Sequence, residues 1–162
     1  MTTTPDGVRT VAGLLEGKDV AMLTTRAPDG TLTSRPMALQ QVDFDGDLWF
    51  VTERTAPLVA HVAADPHVNV TVGDRTTWVS LTGTARVVED RARLEELWNP
   101  VLDAWFGDGP GSPAIVLLHV DAASAEYWTT GKGGLLATAV DLVRANVTGE
   151  RFSGGESERV EM

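Results

Sequence analysis

The sequence predicts a mainly β fold with flanking helices, built as a small antiparallel barrel that is closed or partly closed. Short apolar and β-branched runs recur along the chain, and turn sequences such as Pro28-Asp29-Gly30 and Asp45-Gly46-Asp47 separate some of them. About six or seven strands are expected, and only a few helical patterns interrupt them. Because helices do not alternate with every strand, a doubly wound parallel sheet is disfavoured.

In the first third of the chain we expect a helix followed by three sequential strands. Residues 8–15 have the spacing of a short amphipathic helix, and residues 19–26 alternate like a half-buried strand. Residues 31–44 then predict a long arm that crosses the barrel and bends. The Asp-Gly turn predicts that this arm pairs with residues 48–52 in a tight hairpin.

The middle of the chain predicts a helix and two more strands. Thr55 is expected to cap a helix that ends at residue 64, before an Asp-Pro pair. Residues 68–72 and 77–88 are rich in β-branched side chains, which favours strands. Gly83, inside the second of these strands, indicates a bulge or a sharp bend.

Helical and extended patterns alternate again toward the C-terminus. Asp90 is expected to begin a helix that runs to about residue 104. Residues 114–120 and 125–129 predict two buried strands, and residues 135–147 have the pattern of a terminal amphipathic helix.

Composition indicates a soluble protein with one core. The chain has 162 residues, of which 43% are hydrophobic, and this length favours a single domain over residues 1–148. Residues 149–162 are polar, glycine-rich and aperiodic, so we expect a disordered tail there. No apolar run approaches the roughly 20 residues that span a bilayer, and the N-terminus lacks the pattern of a secretory signal. We therefore expect a cytoplasmic location and no membrane partner.

The absence of cysteine and the acidic charge argue against several classes of function. Without cysteine the chain has no disulfide, thiolate nucleophile or cysteine-ligated cluster, so any redox chemistry needs a bound cofactor. The formal net charge of -10 argues against nucleic acid as a partner, because such binding needs clustered cations. The three histidines have no metal-ligand spacing, and no catalytic motif of a hydrolase is present.

Arg35 is the residue that most strongly suggests a ligand site. It lies in a predicted strand between Ser34 and Pro36, and the proline indicates a strand edge that a ligand can approach. The guanidinium and nearby hydroxyls suit a phosphate group, while Met37 and the apolar strand at 48–52 can receive an aromatic ring. A flavin nucleotide combines both features. The alternative is that Arg35 pairs with one of the 23 acidic side chains.

Two further segments are candidate ligand contacts. Trp105 and Phe106 precede a loop rich in glycine and proline, where they can cover a pocket or contact a partner subunit. Packing in the core is the alternative for these and the other aromatic residues. Residues 130–134, Thr-Gly-Lys-Gly-Gly, can form either an anion-binding loop at a helix start or a hinge.

Several motifs, in their order along the chain, resemble the general stress protein 26 branch of the pyridoxamine 5'-phosphate oxidase-like superfamily. The resemblance covers roughly residues 20–129. Its motifs are the Pro-Asp-Gly turn, SRPM at 34–37, DLWFVT at 47–52, DPHV at 65–68, VSLTGT at 79–84, LW at 97–98, WFGDGP at 105–110 and EYW at 126–128. It implies an FMN-binding split β-barrel, usually a homodimer with two flavin sites at the subunit interface.

The resemblance also implies roles for individual residues. The cofactor-binding residues that it implies are Ser34, Arg35, Pro36, Met37, Phe50, Val51, Thr52, Thr55 and Trp105. Arg35 would contact the flavin phosphate, and Pro36 and Met37 would border the isoalloxazine ring. Val51 and Thr52 would contact the ring or the ribityl phosphate. The tryptophan of this set would reach the flavin from the second subunit.

The chain departs from the family pattern at three positions. Gln40 replaces a basic residue at the end of the second-strand motif, and Pro57 and Leu58 stand where the superfamily often has a basic pair. Each charge-assisted hydrogen bond to phosphate is worth about 1.5 to 3 kcal/mol, so we expect a reduced affinity for FMN. Arg54 or Arg75 could supply a substitute cation.

The activity that the resemblance implies is that of a flavin-dependent oxidoreductase or a flavin carrier with a stress-related role. FMN is the expected cofactor, and FAD and the deazaflavin F420 are alternatives. No catalytic side chain is expected, because the flavin carries the hydride chemistry. The competing class is a non-enzymatic dimeric binding protein that keeps the barrel and has weak or lost flavin affinity.

Overall fold

A seven-stranded antiparallel sheet forms the centre of the described structure. The computed structural model describes residues 5–40, 43–130 and 156–161. The strands are β1 Val20–Arg26, β2 Leu32–Ala38, β3 Asp47–Glu53, β4 His67–Gly73, β5 Thr77–Val88, β6 Ile115–Thr129 and β7 Glu156–Glu161. The helices are α1 Pro5–Leu15, α2 Pro57–Ala64, α3 Arg91–Leu97 and α4 Pro100–Phe106. This architecture confirms the predicted mainly β fold with flanking helices.

The order of the strands leaves the barrel open on one side. Through hydrogen-bonded neighbours the order is β2-β1-β4-β5-β6-β3, and β7 pairs with β6. β2 and β3 therefore lie at the two ends of this path and are not hydrogen-bonded to each other. The gap between them makes the sheet a partly closed barrel, which is one of the two predicted forms.

The predicted tight hairpin between the second and third strands is wrong. β2 ends earlier than predicted, at Ala38, and β3 pairs antiparallel with β6, where Phe50 lies opposite Leu118. The Asp-Gly turn does form, with Gly46 at a φ of 110°, and the Gly46 carbonyl accepts a hydrogen bond from Ala122 N at 2.9 Å. The turn residues thus predict where β3 begins, but they do not determine which strand pairs with β3.

The long pair of strands β5 and β6 contains the predicted bulge. Their register shifts between Thr82 and Gly83. A Cβ atom at position 83 would lie 2.0 Å from the carbonyl oxygen of Asp121, so this close backbone approach requires glycine. The two strands predicted at 114–120 and 125–129 are one continuous strand, because pairing with β5 resumes on the far side of the bulge.

The helix predicted from Asp90 to residue 104 is in fact two short helices. Asp90 caps α3 as predicted, since its side chain accepts a hydrogen bond from Arg93 N at 3.0 Å. Asn99 is extended, with φ −145° and ψ 169°, as expected for a residue that precedes a proline. Pro100 then opens α4, so the helical pattern is interrupted between the two helices.

The prediction that Thr55 caps α2 is wrong. The N-cap residue is Ala56, which makes no side-chain capping hydrogen bond. Pro57 begins the helix, where its missing N–H costs nothing because the first helical donors lack intrahelical partners.

The core consists of two clusters that meet at β3. The larger cluster includes Val11, Leu15, Leu23, Phe50, Leu58, Val62, Val70 and Leu118, from α1, α2 and the sheet. The smaller cluster includes Val51, Leu94, Leu97, Leu102 and Leu117. Because neighbouring residues of β3 belong to different clusters, β3 is buried on both faces, which explains its continuous apolar sequence.

β7 corrects the prediction of a disordered tail for residues 156–161. It pairs antiparallel with β6, and Val160 lies buried opposite Ala125. A single apolar residue in a polar strand gives too little alternation to predict a strand. The helix predicted at 135–147 and residues 131–134 of the predicted glycine loop lie outside the described residues, and the single domain over 1–148 stays a prediction. No helix in the described ranges is long and apolar enough to cross a membrane.

Candidate functional site

A cavity of about 910 Å³ lies at the open side of the barrel. Its lining residues include Pro36, Met37, Val51 and Thr52 from the edge strands β2 and β3, and Leu97, Leu102, Trp105 and Phe106 from α3 and α4. This volume is typical of small-molecule sites, which are also lined mostly by apolar and aromatic side chains. The cavity therefore suits an aromatic ring system.

The charged residues that line this cavity are acidic. Asp19 and Glu96 contribute carboxylates, and no lysine or arginine of the described residues belongs to the lining. Carboxylates repel a phosphate group, so this wall favours the uncharged part of a ligand. A phosphate would need a cation beside the cavity rather than in its wall.

Arg35 directly precedes the lining residue Pro36 in β2, whereas Lys18, which precedes the lining residue Asp19, forms an ion pair with Asp74. Arg35 lies opposite Leu23 of β1 and is half-buried. Its Nη1 donates a hydrogen bond to Thr25 Oγ1 at 2.9 Å, while its buried Nη2 has no hydrogen-bond partner among the described residues. Burial lowers the pKa of the guanidinium below its usual value, although arginine stays charged.

No described carboxylate forms an ion pair with Arg35. The alternative that this side chain is neutralised by an acidic residue therefore has no support in the described ranges. A buried guanidinium nitrogen without an acceptor is costly, because the group has lost its water. An oxyanion that reached Nη2 would remove that cost, so the residues present fit a phosphate-bearing ligand.

Ser34 and Arg35 do not point to the same side of β2. Successive side chains of a strand alternate between its faces, and Ser34 Oγ lies on the outer face, 2.6 Å from Thr24 Oγ1. Arg35 lies opposite the buried Leu23, on the inner face. The hydroxyl and the guanidinium therefore do not converge on one phosphate in this arrangement.

Of the nine residues that the resemblance implies, five line the cavity together: Pro36, Met37, Val51, Thr52 and Trp105. The other four do not line it. Phe50 is completely buried in the larger core cluster, and Thr55 is exposed in the turn before α2. Ser34 and Arg35 lie on β2 beside the cavity. The structure thus gathers the predicted ring contacts and separates them from the predicted phosphate contacts.

The three positions that depart from the family pattern have structural roles. Gln40 is buried, donates a hydrogen bond to Ala38 O at 3.1 Å and accepts one from Asn99 Nδ2 at 3.0 Å. Pro57 begins α2, and Leu58 is buried in the larger core cluster. These residues stabilise the fold around the cavity and bring no positive charge to it.

Arg54 is committed elsewhere and does not serve as a substitute cation in this arrangement. It forms an ion pair with Glu89, and its Nε donates a hydrogen bond to the carbonyl of Pro113 at 3.2 Å. Arg75, the other predicted substitute, is exposed in the turn between β4 and β5. Neither residue belongs to the cavity lining.

Two residues linked to Arg35 by hydrogen bonds, Thr25 and then His61, were not predicted from the sequence. Thr25 is 1% exposed, and its Oγ1 lies 2.9 Å from Nδ1 of His61 in α2. The inward position of Thr25 could have been predicted, because the alternation of β1 buries residues 21, 23 and 25. The contact with His61 depends on how α2 packs and leaves no signal in the sequence.

Comparison with known proteins identifies relatives along most of the chain. The sequence model of a family described as pyridoxamine 5'-phosphate oxidase like matches residues 6–153. Protein bli-3 of Neurospora crassa is 30% identical over 155 residues, which cover 88% of this chain and 74% of that protein.

Solved structures share the same fold. A candidate general stress protein 26 from Jannaschia sp. CCS1 is 31% identical, with 98% of this chain and 100% of that chain covered and a TM-score of 0.74. A general stress FMN/FAD binding protein from Xanthomonas citri is 28% identical, with 78% and 90% covered and a TM-score of 0.66. These similarities confirm the predicted split β-barrel of the FMN-binding type.

Proposed function

This chain belongs to the pyridoxamine 5'-phosphate oxidase-like family, in its general stress protein 26 branch, and we propose that it binds FMN and acts as a flavin-dependent oxidoreductase. One observation carries the proposal. An apolar cavity of about 910 Å³ is lined by Pro36, and the preceding residue, Arg35, has a buried Nη2 with no hydrogen-bond partner among the described residues. The Xanthomonas citri relative, an FMN/FAD binding protein by name, supports a flavin as the ligand.

In this proposal the cavity holds the isoalloxazine ring. Met37 and Val51 pack against the ring from the two edge strands. Trp105 of the same chain, rather than of the second subunit as the resemblance implies, covers it from α4. Thr52, which is buried in the cavity wall, supplies a hydroxyl for a polar edge of the ring. When bound, a flavin supplies the hydride or electron transfer, and the protein supplies orientation and exclusion of water.

Arg35 holds the phosphate in the same proposal. The guanidinium offers donors in a planar arrangement that matches a phosphate, and it lies next to a residue of the cavity wall. Because the cavity lining carries two carboxylates and no described cation, the phosphate is expected to lie outside the cavity, toward Arg35.

We also propose a homodimer in which the second subunit closes the site. Trp105 is 77% exposed and Val101 is 55% exposed, although both line the cavity, so a ligand there would be only partly covered by one chain. Val20, which also lines the cavity, and Met22 extend this exposed apolar surface along β1. A second copy on this surface would bury it and shield the ring from water.

A non-enzymatic binding protein is the second candidate function. Gln40, Pro57 and Leu58 replace cations, and each is committed to the fold. With a single arginine for the phosphate, flavin affinity would be weak, and FAD or F420 would compete with FMN as ligands. A wild-type protein that binds a flavin weakly and shows no flavin-dependent turnover would favour this candidate over the oxidoreductase.

Titration of the purified full chain with FMN, FAD, F420 and riboflavin, followed by flavin fluorescence, tests the proposal. We expect FMN to bind and Arg35→Ala to weaken it by roughly ten- to a hundredfold, with riboflavin, which lacks the phosphate, unaffected. Arg86→Ala, at an exposed arginine of β5, is the matched control and should change neither affinity.

Three outcomes would each overturn a part of this proposal. Absence of binding for every flavin at millimolar concentration would reject a flavin function. Binding of FMN without any oxidation of NADH or NADPH, and without reduction of the bound flavin by either, would leave the non-enzymatic candidate. Sedimentation velocity with and without FMN tests the dimer, and a monomer under both conditions would reject it.

A further inference from the structure

We infer that Thr25 and His61 form a hydrogen-bonded positioning chain that fixes the guanidinium of Arg35 for an oxyanion, an inference that rests on the proposed function. Arg35 Nη1 lies 2.9 Å from Thr25 Oγ1, and Thr25 Oγ1 lies 2.9 Å from His61 Nδ1. The chain joins three elements, since the residues lie on β2, β1 and α2. Thr25, its central member, is almost completely buried.

The chemistry of the three groups gives the chain a direction. Arginine has donors only, so Thr25 Oγ1 accepts the hydrogen bond from Nη1. The hydroxyl proton of Thr25 is then available, and His61 Nδ1 is its only side-chain acceptor among the described residues. In this scheme we assign the Thr25 hydroxyl as the donor and His61 Nδ1 as the acceptor, an assignment that rests on the donor-only chemistry of arginine.

The far end of the chain is held in place by the packing of α2 against the core. α2 is anchored in the core by Leu58 and Val62, one turn before and one residue after His61. The carbonyl of His61 accepts a hydrogen bond from Asp65 N at 2.8 Å, which closes the end of the helix. The packing of α2 thus restrains the position of the imidazole, and the hydrogen bonds of Thr25 restrain Arg35 in turn.

The consequence is a guanidinium whose orientation is set before any ligand arrives. With Nη1 bound to Thr25, the guanidinium is restrained, and Nη2 lies in a buried position where no described residue accepts a hydrogen bond from it. A long arginine side chain that is already ordered loses less conformational entropy when it binds an anion. Thr25 and His61 are positioning residues in this scheme, because neither is required to touch the phosphate.

The test compares FMN with riboflavin for variants of both residues. Thr25→Val, which removes the hydroxyl, should weaken FMN about three- to tenfold and leave riboflavin unchanged. Thr25→Ser keeps the hydroxyl and should retain the affinity for FMN. His61→Ala should weaken FMN, and His61→Asn, whose amide oxygen can take the place of Nδ1, should restore it. A purely structural role would lower both affinities together.

A double-mutant cycle with Arg35→Ala completes the test. If Thr25 acts through Arg35, Thr25→Val should have no further effect on FMN binding in the Arg35→Ala background. Full additivity in that background, or equal losses for FMN and riboflavin, would overturn the inference. If Thr25→Val does not fold, the same double-mutant cycle is measured with His61→Ala and His61→Asn, because His61 is half-exposed.

The outcomes separate this inference from the proposed function. A wild-type chain that binds neither FMN nor riboflavin rejects the function itself. If the wild type binds FMN in a way that depends on Arg35, and the Thr25→Val and His61→Ala variants both keep full affinity for FMN, only the positioning chain is rejected.

Discussion

The side-chain amide of Asn99 donates a hydrogen bond to Gln40 Oε1 at 3.0 Å and connects the end of β2 to the junction of α3 and α4. The side-chain oxygen of Asn99 also accepts from Val101 N and Leu102 N at 3.0 and 3.1 Å. One residue thus caps a helix and joins that helix to a strand on the opposite wall of the cavity. Both residues of this contact line the cavity.

Replacement of Asn99 separates these two roles. Asn99→Ala should lower the free energy of unfolding by about 1 to 2 kcal/mol, because it removes the helix cap and the contact with Gln40. Asn99→Asp keeps a capping oxygen and loses the amide donor to Gln40 Oε1 and to the carbonyl of Leu97, so its loss should be smaller. Urea denaturation measures both. Equal losses for the two variants would show that the cap contributes little.

Gly83 should be intolerant of any side chain. Gly83→Ala places a Cβ 2.0 Å from Asp121 O and 2.9 Å from Ala122 Cα, and these backbone atoms cannot move without disturbing the pairing of β5 with β6. We expect a loss of about 2 kcal/mol or more in the free energy of unfolding, measured by urea denaturation.

Gly13 is the matched control for that substitution. It lies within α1, is exposed, and an added Cβ would meet no atom within 4 Å. Gly13→Ala should therefore stabilise the protein by about 0.5 to 1 kcal/mol through helix propensity. A similar change for both variants would contradict the close approach at the bulge.

Asp74 should make stability depend on pH in the acid range. Its carboxylate accepts from Lys18 and from the backbone N–H groups of Thr76 and Thr77, and these contacts hold its pKa well below the usual range. The unfolded chain therefore binds a proton at a higher pH than the folded chain. The contribution of Asp74 is complete above a pH of about 4 and is lost as the pH falls further.

The Asp74→Asn variant isolates this effect. It should be less stable than the wild type at neutral pH, and the difference should shrink as the pH is lowered from about 4 toward 2. Urea denaturation at a series of pH values measures the two curves. Parallel curves over this range would show that Asp74 is not responsible for the dependence.

Val160 should anchor β7 on β6. Val160→Ala removes two buried carbon atoms and should cost about 1 to 2 kcal/mol of stability, measured by thermal or urea denaturation. The neighbouring Arg159 is exposed, and Arg159→Ala should change stability by no more than about 0.5 kcal/mol. A loss of stability for Val160→Ala that is as small as the one expected for Arg159→Ala would argue that β7 contributes nothing to the stability of the sheet.

Trp105 should matter for ligand binding more than for stability. Trp105→Ala removes a ring that is 77% exposed in the single chain, so the free energy of unfolding of the monomer, measured at low protein concentration, should change by less than about 0.5 kcal/mol. Flavin affinity should fall, because the ring lines the cavity. Trp128→Ala is the control, since Trp128 is also partly exposed but is not part of the lining. A flavin affinity unchanged by Trp105→Ala would remove it from the site.

The strands of this fold could largely be predicted, whereas their pairing could not. Alternation and turn residues mark β1, β3, β4 and β5 because both signals are local. The partner of β3 is set by contacts such as Phe50 with Leu118, which lie far apart in the sequence. β7 was missed because Val160 is the one apolar residue of that strand.

The site shows the same division between local and distant information. Pro36, Met37, Val51 and Thr52 were predicted from motifs, and the structure brings them together in one cavity. That Ser34 and Arg35 point to opposite faces follows from the two-residue period of a strand, so the sequence contained this information. The contact of His61 with Thr25 depends on the packing of a helix against β1, which no local pattern encodes.

β6 pairs with β3, β5 and β7, so most of the sheet is assembled on a strand that ends at Thr129. During synthesis, β3 leaves the ribosome long before β6, with which it pairs. Until β6 emerges, both apolar faces of β3 are exposed to solvent. Contacts of such large sequence separation make folding slow and expose apolar segments to aggregation. Chaperone demand on the nascent chain should therefore persist until β6 has emerged.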